Sequence, residues 1–426
     1  MPKALERCRI CGNTDLVPVL DLGRQASTGV FPRTADQLVA EMPLELVKCM
    51  TAGAAERCGL LQLRHSGDPG EMYGAGYGYR SGLNRSMVAH LRAKVARILD
   101  TVVLGKGDLV IDVGSNDGTT LSAYPKDAAD LAGIDPTGEI FRRHYPPHVR
   151  LIPEFFSAAA VRKAFGERRA RVITSFAMFY DLESPMEFMR QVHDCLDERG
   201  IWVLEQSYMP TMLEMNAYDT VCHEHLEYYA LEPIVWMMDR VGLRILDVET
   251  NAVNGGSFSI TACRSGAPYK GRPEAAKAMM ACEQAAALGA LEPYRAFAAR
   301  VAEHRGALRR FLRDARAAGR TICGYGASTK GNVVLQYCGV TADDLPCIAE
   351  VNEDKFGAFT PGTRIPIVPE AEVRARRPDY LLVLPWHFRD VIVERERAYL
   401  EAGGRLVFPL PAIEVVGAAG AAGIGR

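Results

Sequence analysis

Apolar residues between about 76 and 265 fall into short runs separated by longer amphipathic stretches. The runs at 109–113, 132–135, 172–175 and 201–206 read as strands, and the stretches between them as helices. Strands alternating with helices predict a parallel sheet covered on both faces. The same alternation returns at 321–324, 347–350, 380–383 and 405–408. Between the two lies an alanine-rich, charged stretch, 266–318, that reads as one or two helices interrupted at Pro293. The first 75 residues differ: they are rich in turn residues and carry cysteines. Three units are therefore expected, at 1–75, 76–265 and 266–426. The glycine- and alanine-rich tail, 417–426, has little to bury and is expected to fray.

Composition narrows the class. The 426 residues are 48 % hydrophobic and 24 % charged, as in ordinary soluble proteins. A net charge of -2 argues against a nucleic-acid binder, which usually shows a basic surplus. No apolar run approaches the roughly 20 residues needed to span a bilayer. The N-terminus shows no signal pattern. The odd count of 11 cysteines fits a reducing cytoplasm better than a disulfide scaffold. Cys195, Cys263, Cys282, Cys323, Cys338 and Cys347 read as buried small hydrophobes.

Four cysteines stand apart. Cys8 and Cys11 form a CxxC knuckle, and Cys49 and Cys58 follow. Four thiolates can close a tetrahedral zinc shell, and a unit this small needs such a staple. With no position left for water, this zinc would be structural. A redox CxxC or unliganded thiols are the alternatives.

Two further clusters carry chemistry. The run 109–114 leads into a tight turn whose Gly114 and Gly118 let the backbone approach a ligand closely. Asn116 occupies the middle glycine position of the dinucleotide fingerprint, so that fingerprint is absent. The turn is similar to that of class I S-adenosylmethionine-dependent methyltransferases. That likeness implies Asp112 near the cationic methionine part and Asp135 on the ribose hydroxyls. It also implies Phe155 or Phe156 on adenine, and Phe176 beside the reacting methyl. The second cluster is His223-Glu224-His225. A neutral imidazole suits proton transfer near neutral pH, and a carboxylate beside it can fix its tautomer. In an extended segment the two histidines would share one face. A metal site or structural hydrogen bonding are the bland alternatives. Tyr73, Tyr77 and Tyr79, interleaved with glycines, suit a loop laid over a ligand. Their phenols could donate to an oxyanion.

Taken in order, these pieces resemble the nucleotide-sugar 3-C-methyltransferases of deoxysugar pathways, which act on TDP-4-keto-6-deoxyhexoses. The likeness covers almost the full length. It includes the four cysteines, the Asp112–Gly118 turn, Glu224-His225, Asn254-Gly255-Gly256-Ser257, the stretch from Gly324 to Asn332, and Pro385-Trp386-His387-Phe388. The resemblance implies a zinc-binding N-terminal domain, a central methyltransferase domain, and a C-terminal Rossmann-like α/β domain that contacts the sugar nucleotide without binding NAD. Tyr79, Asn254, Ser328, Lys330, Asn332, Trp386 and Phe388 are then the expected substrate contacts, with Ser328, Lys330 and Asn332 meeting a diphosphate at a helix N-terminus. His225 is the expected base, oriented by Glu224. A tyrosine of the 77–79 cluster or His223 is the expected partner of the enolate oxygen. The partner is a nucleotide-linked keto-sugar, with no nucleic acid or membrane; a monomer and a cytoplasmic location are the default expectations. Cys222 stands where some relatives carry a tyrosine, and Phe179-Tyr180-Asp181 where some carry a histidine. The final proton donor and the stereochemical outcome stay open on that account. Methylation at O or N of a related sugar, or an NAD-dependent oxidoreductase or epimerase with Glu350 on the ribose, are the competing readings.

Overall fold

The computed structural model describes residues 3–50, 57–67 and 80–418. Tyr73, Tyr77, Tyr79 and the tail from 419 onward lie outside the described residues.

Strands β1 (Leu16–Ala26), β2 (Glu41–Cys49) and β3 (Leu61–Leu63) form an antiparallel sheet. Its fourth strand comes from the middle of the chain: Glu227–Tyr228 pairs with β3, Glu227 opposite Gln62 and Tyr228 opposite Leu61. The small N-terminal sheet thus grips the segment that carries the histidines.

The middle unit opens with helix α1 (Arg85–Thr101), whose first amides are capped by the Asn84 side chain. Then come β4 (Leu109–Val113), β5 (Asp130–Ile134), β6 (Val149–Ile152), α2 (Ala158–Phe165), β7 (Ala170–Phe176), α3 (Pro185–Cys195), β8 (Leu196–Ser207), α4 (Leu231–Val241), β9 (Leu243–Asn251) and β10 (Ser257–Arg264). Their spatial order is β9-β10-β8-β7-β4-β5-β6. Every residue of the central β4 is buried, as an unbroken apolar run between two covered faces requires. The sheet is not wholly parallel: β10 inserts between β8 and β9 and runs antiparallel to both. It follows β9 after a short turn, which only a reversed strand can do.

Helices α5 (Pro273–Ala285) and α6 (Glu292–Ala317) resolve the long helical stretch into two. Pro293 sits in the first turn of α6, where the missing N–H costs nothing, so it starts a helix rather than breaking one. The last unit contains β11 (Ile322–Tyr325), α7 (Thr329–Cys338), β12 (Ile348–Glu350), β13 (Ile367–Pro369), β14 (Tyr380–Val383), β15 (Arg405–Phe408) and β16 (Glu414–Val416). The order is β13-β12-β11-β14-β15-β16, parallel except for β16.

The N-terminal sheet has little core of its own. Cys8, Cys49, Cys58 and Leu60 pack into one cluster with Ile111, Phe179, Trp202 and Tyr229 of the middle unit. Leu20, Leu44, Leu46 and Leu63 join another that continues through Tyr218 and Tyr228 to Val333, Ile348 and Val407. The sheet is a wall shared by both larger units. Of the six cysteines expected to be buried, Cys282 is exposed on α5, an exception to the reading as core; the other five are buried. No helix among the described residues is long and apolar enough to cross a membrane.

Candidate active site

The cysteine knuckle precedes β1, Cys49 ends β2 and Cys58 stands before β3. Their four sulfurs lie within 4.8 Å of one another. The Cys8–Cys58 and Cys11–Cys49 separations are 3.5 Å. Sulfurs about 2.3 Å from one zinc ion at tetrahedral angles would sit roughly 3.8 Å apart, so the set fits that metal. Asn13 Nδ2 donates to Cys49 Sγ at 3.3 Å, a second layer around the thiolates. Buried Lys48 brings a positive charge beside them and donates to the Gly59 carbonyl.

The turn after β4 is held from below. Tyr145 Oη lies 2.7 Å from Ser115 Oγ and donates to the Asn116 carbonyl at 2.9 Å. A Cβ on Gly133 would fall 2.5 Å from Ser115 Oγ and 2.9 Å from the Tyr145 ring, so only glycine allows this approach. Gly114 and Gly118 both have positive φ, 70° and 75°, as the sequence leads one to expect of a tight turn. Asn116 shares that conformation, with φ 51°. Asp135 accepts the Asn116 amide at 2.7 Å and the Thr137 amide and hydroxyl at 2.7 Å. It therefore shapes the turn as well as standing at the end of β5.

Asp112 is buried, and its hydrogen bonds among the described residues come from hydroxyls, Thr174 Oγ1 at 2.5 Å and Thr120. Burial pushes its carboxyl up to about 7, with the charge of Asp135 adding to the effect. A buried acid with no cation beside it among the described residues fits a cationic cofactor group. Phe155 is exposed at the end of β6, open to a ligand ring, whereas Phe156 is turned inward onto Phe188 at 5.1 Å. Phe176 packs on the α1 side of the sheet, with Val95 and Val110.

Met178 lies directly over Gly114: a Cβ there would come within 3.1 Å of its Cγ. Two residues on, the Tyr180 ring packs on the His225 imidazole at 4.3 Å. The Leu226 amide donates to the Tyr180 carbonyl at 2.8 Å. The stretch from Met178 to Tyr180 thus spans from the cofactor turn to His225.

The histidines do not share a face. Residues 221–226 form turns, not a strand. His223 is buried and its Nε2 donates to the Met42 carbonyl of β2 at 3.2 Å. It pins the segment to the N-terminal sheet, and because its N–H is taken there it is not free for the role expected at the enolate oxygen. Glu224 accepts from Thr28 Oγ1 at 3.3 Å and lies against Gly29. It does not orient His225. That is done by the Thr220 carbonyl, 2.9 Å from Nδ1. A carbonyl only accepts, so Nδ1 carries the hydrogen and Nε2 keeps its lone pair. Burial, reinforced by the Lys330 charge, pushes this imidazole down to about 3 and keeps it neutral.

The third unit closes over the same place. Lys330 Nζ donates to the Asn254 carbonyl at 3.0 Å. Trp386 Nε1 donates to Asp219 Oδ2 at 2.7 Å. Gly255 faces His387 and Trp386 across the gap. Three expected contacts, Asn254, Lys330 and Trp386, therefore meet beside the His225 segment. The others do not. Ser328 Oγ accepts from the Gly331 amide at 3.0 Å and caps α7. Asn332 is fully buried and donates to the Thr28 carbonyl at 2.8 Å, tying the first and last units together. Phe388 packs against the C-terminal core and the His387 ring.

Sequence reading missed Tyr145, Met178, Asp219 and His387. His387 stood inside the Pro385-Trp386-His387-Phe388 motif, but nothing in its spacing marked it. Glu350 accepts the amides of Ala327, Val351 and Asn352, at 2.9, 2.7 and 2.9 Å. A cavity of about 320 Å³ lies elsewhere, against α1, β9 and Arg272, the residue before α5. Its cations are already paired there, Lys94 and Arg97 with Glu249 and Arg272 with Asp247.

With this geometry in place, known proteins bear on it. Residues 8–73 match a zinc binding domain, 83–248 a methyltransferase domain and 252–411 a C-methyltransferase C-terminal domain. The chain is 31 % identical over 419 residues to the C-methyltransferase NovU of Streptomyces niveus, covering 98 % of each. Among solved structures it is similar to the CcbJ methyltransferase of Streptomyces caelestis, at 12 % identity and a TM-score of 0.33 over 41 % of this chain and 90 % of that one. It is likewise similar to the cyclopropane synthase MmaA2 of Mycobacterium tuberculosis, at 11 % identity and 0.32 over 40 % and 83 %.

Proposed function

The chain belongs to the C-methyltransferase family, an S-adenosylmethionine-dependent enzyme with a zinc-binding N-terminal domain, and on that premise we propose that it methylates C3 of a nucleotide-linked 4-keto-6-deoxy sugar. The observation that carries this reading is the single hydrogen bond from His225 Nδ1 to the Thr220 carbonyl. It leaves Nε2 as an acceptor beside the Met178–Tyr180 bridge to the cofactor turn.

A carbon bonded to hydrogen must lose that proton before it can act as a nucleophile, and a neighbouring ketone makes the loss feasible. His225 Nε2 takes the proton from C3. The C–H electron pair moves into a C3–C4 double bond, and the carbonyl pair moves onto the C4 oxygen. A neutral imidazole is the form that can accept, and burial holds it in that form. The negative charge arising next to it raises its proton affinity as the proton arrives. Asp112, Asp135 and the Gly114–Gly118 turn would hold the cofactor, which supplies a methyl group on a sulfonium. Met178 and Tyr180 set the distance between the two sites, so that bound reactants meet in register.

The reading is tested by incubating the full chain with a TDP-4-keto-6-deoxyhexose in deuterium oxide without methyl donor. Deuterium should enter C3, and added cofactor should convert it to a C3-methyl product. Methylation of oxygen or nitrogen with no exchange at C3 would refute it.

A further inference from the structure

Lys330 reads from its position at the start of α7 as a phosphate ligand, but in the structure its ammonium is received by a turn of the middle unit. Its Nζ donates to the carbonyl of Asn254 at 3.0 Å. Asn254 sits at φ 56° in the turn between β9 and β10, so a fixed element of the middle unit receives the ammonium. An ammonium has three N–H donors. Among the described residues the Asn254 carbonyl is its one acceptor, and no acid stands within ion-pair distance of it. Asp219, an acid its charge reaches, has its own partner: Oδ2 takes the indole N–H of Trp386. Gly255, next to Asn254, lies against Trp386 and His387, and the Trp386 indole bonds Asp219, one residue before the Thr220 carbonyl that holds His225, so the ammonium and the base border one cluster. The Lys330 charge is felt at Asp219, His225 and His387. The two alternatives raised for the enolate oxygen fare differently: His223 is spent on Met42, and the tyrosines at 77 and 79 lie outside the described residues.

We propose that Lys330 is a catalytic electrophile: its free N–H groups hold the keto oxygen of the substrate and take up the enolate charge while His225 removes the C3 proton. This rests on the ketosugar reading above. The balance is simple. The proton goes from C3 to Nε2, the carbonyl pair goes to oxygen, and Lys330 donates to that oxygen without losing its own proton. When the carbon–carbon bond forms, the pair returns and the C4 carbonyl is restored. The bond from Lys330 strengthens as charge grows on the oxygen, which is where a preplaced donor lowers a barrier. Its charge has a second effect: it helps keep His225 unprotonated and ready.

The test compares wild type with Lys330→Met, of similar length and no charge, and Lys330→Arg, which keeps it. Exchange at C3 is measured at saturating ketosugar without methyl donor, and thymidine diphosphate affinity by calorimetry. Lys330→Met should slow exchange by roughly a hundred- to a thousandfold, with Lys330→Arg between it and wild type. Diphosphate affinity should hold for both. Exchange retained at saturation, or a diphosphate affinity that collapses in Lys330→Met, would make this residue a phosphate ligand and overturn the proposal. A substrate-free arm follows the His225 and His387 ring signals of Lys330→Met by NMR against pH. Both should titrate at higher pH than in wild type, and an unmoved His225 would overturn the proposal. If wild type exchanges no ketosugar, the substrate reading fails by itself, while the imidazole shifts still decide where the ammonium stands.

Discussion

Asp112 offers a quantitative test of the cofactor turn. Its carboxyl is buried at the end of the central strand, with hydroxyl donors and no cation, and burial lifts it from its ordinary 3.8 to about 7. In the unfolded chain the same group ionises near its ordinary value. Below about pH 4 both states are protonated and the group contributes no penalty. Between about pH 4 and 7 the unfolded state ionises while the folded state does not, so stability falls as pH rises. At about 1.4 kcal/mol per pH unit, some three units amount to about 4 kcal/mol lost by pH 7, with no further change above it. Asp112→Asn removes this loss. Chemical denaturation of the cofactor-free proteins at pH 5 and pH 8 should show the variant gaining on wild type by about 3 kcal/mol across that interval, since the loss runs only from pH 5 to about 7 within it. Other buried acids titrate alike in both proteins and cancel in the difference. A cation next to Asp112 reverses the effect, so S-adenosylhomocysteine, through its ammonium, should bind wild type more tightly as pH rises toward 7 and release a proton on binding. It should bind Asp112→Asn weakly and without that pH dependence. Parallel stability curves for the two proteins, or equal affinity for S-adenosylhomocysteine, would refute the assignment.

Two other outcomes are expected of the site. Replacing Cys11 by serine should abolish bound zinc, measured by mass spectrometry of the metal. Because β3 grips Glu227–Tyr228, amide exchange should then rise first at Leu63 and Tyr228, and turnover should fall more than cofactor affinity. His223→Ala should cost about 1–3 kcal/mol in denaturant unfolding, since it strands the Met42 carbonyl, yet leave kcat at saturation close to wild type. A loss of kcat as deep as that of a base variant would return His223 to the chemistry.

The strands that are buried on both sides were legible because an apolar run bounded by turns has few other readings; β4, β7 and β11 are examples. The reversed β10 was not, since its alternation looks the same in either direction and only its partner settles the sense. The cysteine cluster was legible because ligand chemistry fixes both residue type and number. The pairing of Glu227–Tyr228 with the N-terminal sheet was invisible, being set by contacts between residues far apart in the chain. The histidine motif marked the right place but assigned the wrong partners. Sequence adjacency put Glu224 next to His225, whereas the turn at 221–226 sends the carboxylate to Thr28 and brings the Thr220 carbonyl to the ring. Likewise Ser328 and Asn332 had the chemistry of ligand contacts, but helix capping and a long-range backbone tie had the first use of them.

The central claim is that Nε2 of His225 is the base, and His225→Asn tests it most directly. Asparagine can keep a donor toward the Thr220 carbonyl but has no lone pair of comparable basicity. Exchange of deuterium into C3 and methyl transfer should both fall by about a hundred- to ten-thousandfold, while S-adenosylhomocysteine binds as it does to wild type. A variant that exchanges and methylates at the wild-type rate with the same cofactor affinity would contradict the account.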